Sequence, residues 1–277
     1  MKPAPFSLHR ARSLQEAVET LADAGTRGIA KLLAGGQSLV PMLNLRLAPI
    51  DTLVDLSPIE ALRACNEGDD GLRYGSMIPH AAFEDDRVPD PANGLLRHTA
   101  RHIAYRAIRT RGTIGGSVAL ADPAADWLVP LIALGAEAEI AGPDGARTVP
   151  VAAFVIGPYF TDLTETEVLA AIRVPRRPAG ERWGHAKMAL KVGEYAKSIA
   201  VALRDPKDGA ARVVLGALEG APLVLETAAA ALADGRLPER DAVEAELAGS
   251  ERDLSPVQLR MHATTVLRAM SDAMEAA

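Results

Sequence analysis

Between residues 14 and 24 the apolar positions Leu14, Ala17, Val18 and Leu21 recur at helical spacing. Ser13 and Glu16 form an S-x-x-E capping box ahead of them, so a helix over 14–24 is predicted. The pattern then shortens. Residues 29–34 form an apolar run that stops at Gly35-Gly36, as a buried strand feeding a tight loop does. Residues 53–56 and 72–74 read as further short strands. Across 94–109, Leu95, Thr99, Ile103 and Arg106 share one face with no breaker, which predicts a single helix. A second helix is expected to open at Asp122-Pro123, with Trp127, Leu128, Leu131, Ile132 and Leu134 as its apolar positions. Residues 137–151 read as strand, turn and strand about Gly142-Pro143-Asp144-Gly145.

The segment 173–180, with Pro175, Pro178, Gly180 and a cluster of arginines, is the strongest boundary in the chain. Beyond it, the apolar runs 198–203 and 212–218 flank Asp205-Pro206-Lys207-Asp208-Gly209, a hairpin signal. Helical patterns follow over about 223–233 and from Ser255 to near the end. The order is α+β, not alternating βαβ, and a length of 277 residues accommodates two domains.

Composition narrows the classes of function. Apolar residues make up 48% and charged residues 24%, as in a folded soluble domain. A net charge of −6 argues against a general nucleic-acid binder, which needs a basic footprint. The single cysteine, Cys65, excludes an internal disulfide, a cysteine-rich zinc site and an iron–sulfur cluster held by this chain alone. The start, MKPAPFSLHR, lacks the apolar core of a signal peptide, and no run approaches a membrane span, so a cytoplasmic protein with no integral membrane segment is expected.

Two glycine pairs carry the candidate chemistry. Gly35-Gly36 and Gly115-Gly116 each follow an apolar segment, and each is followed by a hydroxyl, Ser38 or Ser117. Loops without Cβ atoms let backbone N–H groups approach a phosphate, and Gln37, Ser38, Thr113 and Ser117 could supplement them. Both pairs are equally consistent with plain tight turns. Neither a G-x-G-x-x-G nor a G-x-x-x-x-G-K-[ST] sequence is present, so a Rossmann site and a P-loop are unsupported. His98 and His102 stand four apart on a predicted helix without a glutamate after the first, which suits a core-edge pair better than a zinc site. His9, His80, His185 and His262 form no spacing motif. Asp122 suits a helix dipole and needs no function.

Leu33-Ala34-Gly35-Gly36-Gln37-Ser38-Leu39, Arg111-Gly112-Thr113-Ile114-Gly115-Gly116-Ser117 and Ala121-Asp122-Pro123-Ala124-Ala125-Asp126 together resemble the FAD-binding medium subunit of molybdenum hydroxylases, the group of aerobic carbon monoxide dehydrogenase and xanthine dehydrogenase. Gly75-Ser76-Met77-Ile78-Pro79-His80 and Gly193-Glu194-Tyr195-Ala196 match further stretches of that family. Thr110 stands where asparagine is frequent and Lys191 where arginine is commoner.

The resemblance implies an α+β FAD domain of the vanillyl-alcohol-oxidase (PCMH) type, in two subdomains, over 1–176, and the family's small α+β C-terminal domain over 177–277. Non-covalent FAD would be held through Ala34, Gly35, Gly36, Gln37, Ser38 and Leu39 and through Thr113, Ile114, Gly115, Gly116 and Ser117, with Lys31 and Leu33 at the edge. Asp126 would meet the ribityl or ribose hydroxyls. Ile103 and Leu169 would touch the adenine end, and Lys187 and Tyr195 the isoalloxazine ring. The partners implied are a large subunit with a molybdenum–pterin centre and a small subunit with two-iron iron–sulfur clusters, in a doubled heterotrimer. The chain itself would relay electrons, with no catalytic acid, base or nucleophile and no metal. A self-contained flavin oxidase fits less well, because no histidine adjoins the second glycine loop to attach a flavin and the chain is short for a substrate cap. A non-catalytic assembly module of the same fold is the other alternative.

Overall fold

A computed structural model describes residues 2–275 of the chain. Helix α1 (Leu14–Gly25) begins where the capping box placed it: the Ser13 side chain accepts from the Glu16 N–H at 3.1 Å. The return arm differs, since Glu16 Oε2 accepts from the Arg12 N–H at 2.8 Å and Oε1 pairs with His9 Nε2. Buried Ala17, Val18 and Leu21 seat the helix on a small parallel sheet of β1 (Ser7–Arg10), β2 (Ala30–Leu33) and β3 (Thr52–Asp55), ordered β1-β3-β2. Helix α2 (Leu39–Asn44) makes the crossover from β2 to β3.

After a 3₁₀ turn at Glu60–Arg63, the chain builds a five-stranded antiparallel sheet from β4 (Cys65–Gly68), β5 (Gly71–Gly75), β6 (Glu137–Gly142), β7 (Gly145–Pro150) and β10 (Val168–Pro175), ordered β4-β5-β10-β6-β7. Between β5 and β6 lie α3 (His80–Glu84), α4 (Leu95–His102), α5 (Arg106–Arg109), α6 (Ile114–Leu120) and α7 (Leu128–Ala133). Helix α8 (Val151–Phe154) and the pair β8 (Val155–Gly157) and β9 (Phe160–Thr161) precede β10. Trp127, Tyr74, Phe154 and the leucines of α4 and α7 fill the main core.

The single helix expected over 94–109 is broken. Ala104 adopts φ +39°, and the carbonyls around it are claimed from elsewhere in the fold. The His102 carbonyl accepts from Lys187 Nζ at 3.1 Å, and Arg109 donates to the Ile103 and Ala104 carbonyls. The helix expected at Asp122-Pro123 starts only at Leu128. Asp122 closes a turn by accepting from the Ala124 and Ala125 N–H groups, and the Pro123 carbonyl accepts from the Ala217 N–H.

The C-terminal part is a sheet of β11 (Arg182–Met188), β12 (Ser198–Arg204), β13 (Ala211–Gly216) and β14 (Leu223–Val224), covered by α9 (Glu226–Ala233), α10 (Arg240–Ala248) and α11 (Pro256–Glu275). Strand β12 is buried on both faces. Ile199, Val201 and Leu203 enter the main core with α7, while Ala200 and Ala202 face the helical layer, and this two-sided burial is why the strand reads as one apolar run. Gly184 lets α11 lie directly on β11, because a Cβ there would collide with the Ala269 carbonyl.

Candidate functional site

Strand β2 delivers the first glycine loop to the end of the parallel sheet, where its neighbour β3 stops at Asp55. Lys31 and Leu33 occupy the face of β2 opposite Leu32 and Ala34, which pack on the core under α1. Gly36 turns the loop at φ +73°, a conformation that costs an L side chain strain. Among the described residues the amide N–H groups of Gly35, Gly36, Gln37 and Ser38 donate no hydrogen bond, whereas the Gly36 and Ser38 carbonyls are taken by Val40 and Met42. Four consecutive unpaired donors form a ready anion site.

The second loop is built differently. Segment 75–80 threads it to the core: the Ser76 carbonyl accepts from Gly115 N–H, the Ile78 carbonyl from Ile114 N–H, and the Gly112 carbonyl from His80 N–H. Thr113 caps α6 by accepting from Gly116 N–H at 3.1 Å, and Ser117 N–H bonds the Thr113 carbonyl. The backbone donors of 114–117 are therefore already engaged, and what this loop offers a ligand is its side chains and its closeness. A Cβ on Gly35 would collide with the Arg111 carbonyl, and one on Gly116 would stand 3.1 Å from Ala34 Cβ. The glycines let the two loops touch. Ile114 and Gly115 are buried, and Leu39 packs against Leu43, Ile50 and Leu53.

Asp126 follows at the edge of this junction, held by its neighbour Trp127, whose Nε1–H donates to buried His80 Nδ1 at 3.0 Å. Asp126 Oδ1 accepts from Lys187 Nζ at 2.7 Å, and the two side chains are 7% and 9% exposed. Burial pushes the Asp126 carboxyl up, and the Lys187 charge opposes that shift. Because Lys187 also reaches the His102 carbonyl, it is a close neighbour of Ile103. Leu169 is buried in the same core cluster that Ile103 packs against. Tyr195 stays exposed on the other side. Burial raises its hydroxyl, and the Asp122 charge adds to the shift.

Several groups escaped the sequence pattern. His185 on β11 meets His98 on α4, Nδ1 to Nε2 at 3.2 Å, with the His102 ring 4.4 Å from that of His98, so histidines without a spacing motif form a cluster. No group of three or more histidine, cysteine, aspartate or glutamate side chains among the described residues is placed to hold a metal ion. Asp122, with no helix to cap, accepts from the Tyr159 hydroxyl at 3.1 Å. Arg109 clamps Glu84 through both its Nε and Nη2, a pairing between helices that no local signal announces.

Residues 4–177 match the model of the FAD binding domain in molybdopterin dehydrogenase. The chain is 36% identical to the carbon monoxide dehydrogenase medium chain of Hydrogenophaga pseudoflava over 81% of its own length and 78% of that protein. It is 33% identical to the nicotine 6-hydroxylase medium subunit of Paenarthrobacter nicotinovorans over 75% of its own length and 73% of that protein. The structure superposes on a solved carbon monoxide dehydrogenase from Hydrogenophaga pseudoflava with a TM-score of 0.89 at 34% identity, covering 99% of this chain and 98% of the other. Quinoline 2-oxidoreductase from Pseudomonas putida 86 gives 0.88 at 32% identity, covering 99% of both chains.

This is an FAD-binding α+β fold, and the chain belongs to the family of FAD-binding medium subunits of molybdenum hydroxylases, whose members are oxidoreductase subunits. The residues present fit the cofactor: unpaired amides at 35–38 suit a pyrophosphate, and a second loop pressed against them narrows the groove. No helix among the described residues is long and apolar enough to cross a membrane.

Proposed function

We propose that this chain is the electron-relaying medium subunit of a three-part complex. It would receive electrons from two-iron iron–sulfur clusters on a small partner and pass them to an external acceptor, while a large partner oxidises the substrate at a molybdenum–pterin centre. FAD, bound non-covalently, supplies the ability to take electrons singly from one-electron carriers. The observation that carries the reading is the run of unpaired amides at Gly35, Gly36, Gln37 and Ser38 set against Gly116 in a chain of this family. The first loop would bear the pyrophosphate on main-chain N–H groups, with the Ser38 and Ser117 hydroxyls adding to it. Thr113 would act by shaping α6.

Asp126 would meet the ribityl or ribose hydroxyls and Ile103 with Leu169 the adenine end. Lys187, expected at the isoalloxazine ring, pairs with Asp126 and neighbours Ile103, so its ammonium would act on that side of the cofactor. Tyr195, exposed, would border the isoalloxazine ring. None of these side chains needs to move a proton on the organic substrate. The FAD unit would occupy 1–176 and the family's C-terminal unit 177–277, in a doubled heterotrimer located in the cytoplasm.

The reading is tested by co-purifying the chain with its partners and reducing the iron–sulfur subunit without oxygen. Flavin bleaching that requires that subunit supports the relay. Direct bleaching of the isolated chain by an organic substrate would replace it with a self-contained oxidase.

A further inference from the structure

Several elements converge on the short segment between α4 and α5. Arg109, the last residue of α5, donates from Nη1 to the Ile103 carbonyl at 2.8 Å and to the Ala104 carbonyl at 3.1 Å. Its Nε and Nη2 each bind one oxygen of Glu84 on α3, at 2.8 Å. Four of the five N–H donors of this guanidinium are thereby spent, on a side chain only 11% exposed. Ala104 is held at φ +39°, where an alanine is strained, so the segment keeps its shape because its surroundings impose it.

The same segment bears two parts of the C-terminal sheet. The preceding carbonyl, that of His102, accepts from Lys187 Nζ on β11. Gly193, in the turn that joins β11 to β12, lies on Tyr105 and Ala104. A Cβ there would stand 2.7 Å from the Tyr105 ring and 3.1 Å from the Ala104 carbonyl, and its φ of +85° suits glycine alone. The turn has little other support, since Leu190 and Val192 are 81% and 92% exposed. Tyr195 follows two residues after Gly193. Lys187 and the turn carrying Tyr195 are thus both braced on 102–105.

We propose that Arg109, fixed by Glu84, is a positioning residue for the flavin. By clamping 103–104 it seats Lys187 and the turn that carries Tyr195, and so sets where the C-terminal sheet meets the cofactor. This rests on the reading of Lys187 and Tyr195 as neighbours of the isoalloxazine ring. Arginine suits the task because one planar fork meets a carboxylate and two carbonyls together. Lysine keeps the charge but offers its donors from a single point.

The test compares Arg109→Lys with the parent chain, unloaded and FAD-loaded. In the unloaded chain, amide exchange followed by mass spectrometry should accelerate over 102–105 and over 189–197, where the Glu194 and Lys197 N–H groups are hydrogen-bonded. The expected acceleration is at least about tenfold, the scale of one lost charge-assisted hydrogen bond. In the loaded chain, the visible band and the flavin reduction potential should both shift, because the Lys187 charge and the Tyr195 ring move relative to the cofactor. Val243→Ala, a core variant in α10, should lose stability and change neither flavin readout. If Arg109→Lys does not fold, Tyr105→Ala, at a side chain 57% exposed, removes the seat of the turn and should reproduce the faster exchange over 189–197 and the spectral shift. Acceleration confined to 102–105, or an unchanged spectrum and potential in the loaded variant, would overturn the proposal. A parent chain that takes up no FAD, while exchange over 189–197 still responds to Arg109→Lys, would sink the cofactor assignment and leave Arg109 as the seat of the turn.

Discussion

Asp126 and Lys187 form a 2.7 Å ion pair with both side chains more than nine-tenths buried, joining the turn before α7 to strand β11. Neither charge has water to turn to if its partner is removed. Lys187→Met is expected to cost about 3–5 kcal/mol of unfolding free energy, the scale for stranding one member of a buried pair. Adding Asp126→Leu should recover part of that loss, because the stranded carboxylate disappears. Urea unfolding of the single and double variants measures both.

The unequal glycine loops predict unequal variants. Gly36→Val places a branched side chain at φ +73° and 3.1 Å from Val40, in the loop whose amides are unpaired. FAD affinity should fall at least tenfold, about 1.4 kcal/mol or more of binding free energy, with the far-ultraviolet spectrum nearly unchanged. In Gly116→Val the new side chain pushes against Ala34 and Thr113 Oγ1, so stability and FAD binding should fall together. Flavin content and unfolding midpoints distinguish the two.

The buried imidazoles set an acid limit. Burial holds His98 down to about 4, with His102 and Arg101 adding to the effect. Burial holds His185 down to about 3, aided by His98, His102 and Lys187, and His80 down to about 3, aided by Arg109. In the unfolded chain these rings titrate near 6.5, so between about 6.5 and about 4 the unfolded state binds more protons and stability declines as pH falls. A His98→Phe/His185→Phe variant should show a shallower decline over that window. Equal slopes would mean the cluster does not contribute. The arginine-paired carboxylates Glu84 and Glu139, held below their usual range by Arg109 and Arg73, act at lower pH.

Gly184 makes a packing prediction independent of the cofactor. Gly184→Val would drive a side chain into the α11 backbone at Ala269, where neither element can yield. A loss of more than about 3 kcal/mol is expected, at the upper end for overpacking. Thermal unfolding in the presence and absence of FAD checks that the loss is the same in both.

What the sequence discloses is local. The Ser13 cap, the turn at Gly142–Gly145 and the hairpin after Arg204 each depend on residues within a few positions, and the structure has them. The helix break at Ala104 does not, because the groups that claim the neighbouring carbonyls are Arg109 and Lys187, the latter on a strand formed more than eighty residues later. Pro123 looks like a first-turn proline until Ala217 takes its carbonyl. The glycine pairs look alike in sequence. Segment 75–80, which occupies the Gly115 amide, and Thr113, which caps Gly116, make them different. His185 joins His98 through the seating of β11 on α4, which no spacing rule encodes.

The most direct test of the account is the visible absorption spectrum of the chain purified alone and supplied with FAD, then of the supernatant after acid precipitation. A flavin spectrum close to one per chain, passing entirely to the supernatant, is the result predicted for a non-covalent clasp. A chain that stays colourless after FAD is added, or flavin that remains with the precipitate, would contradict it.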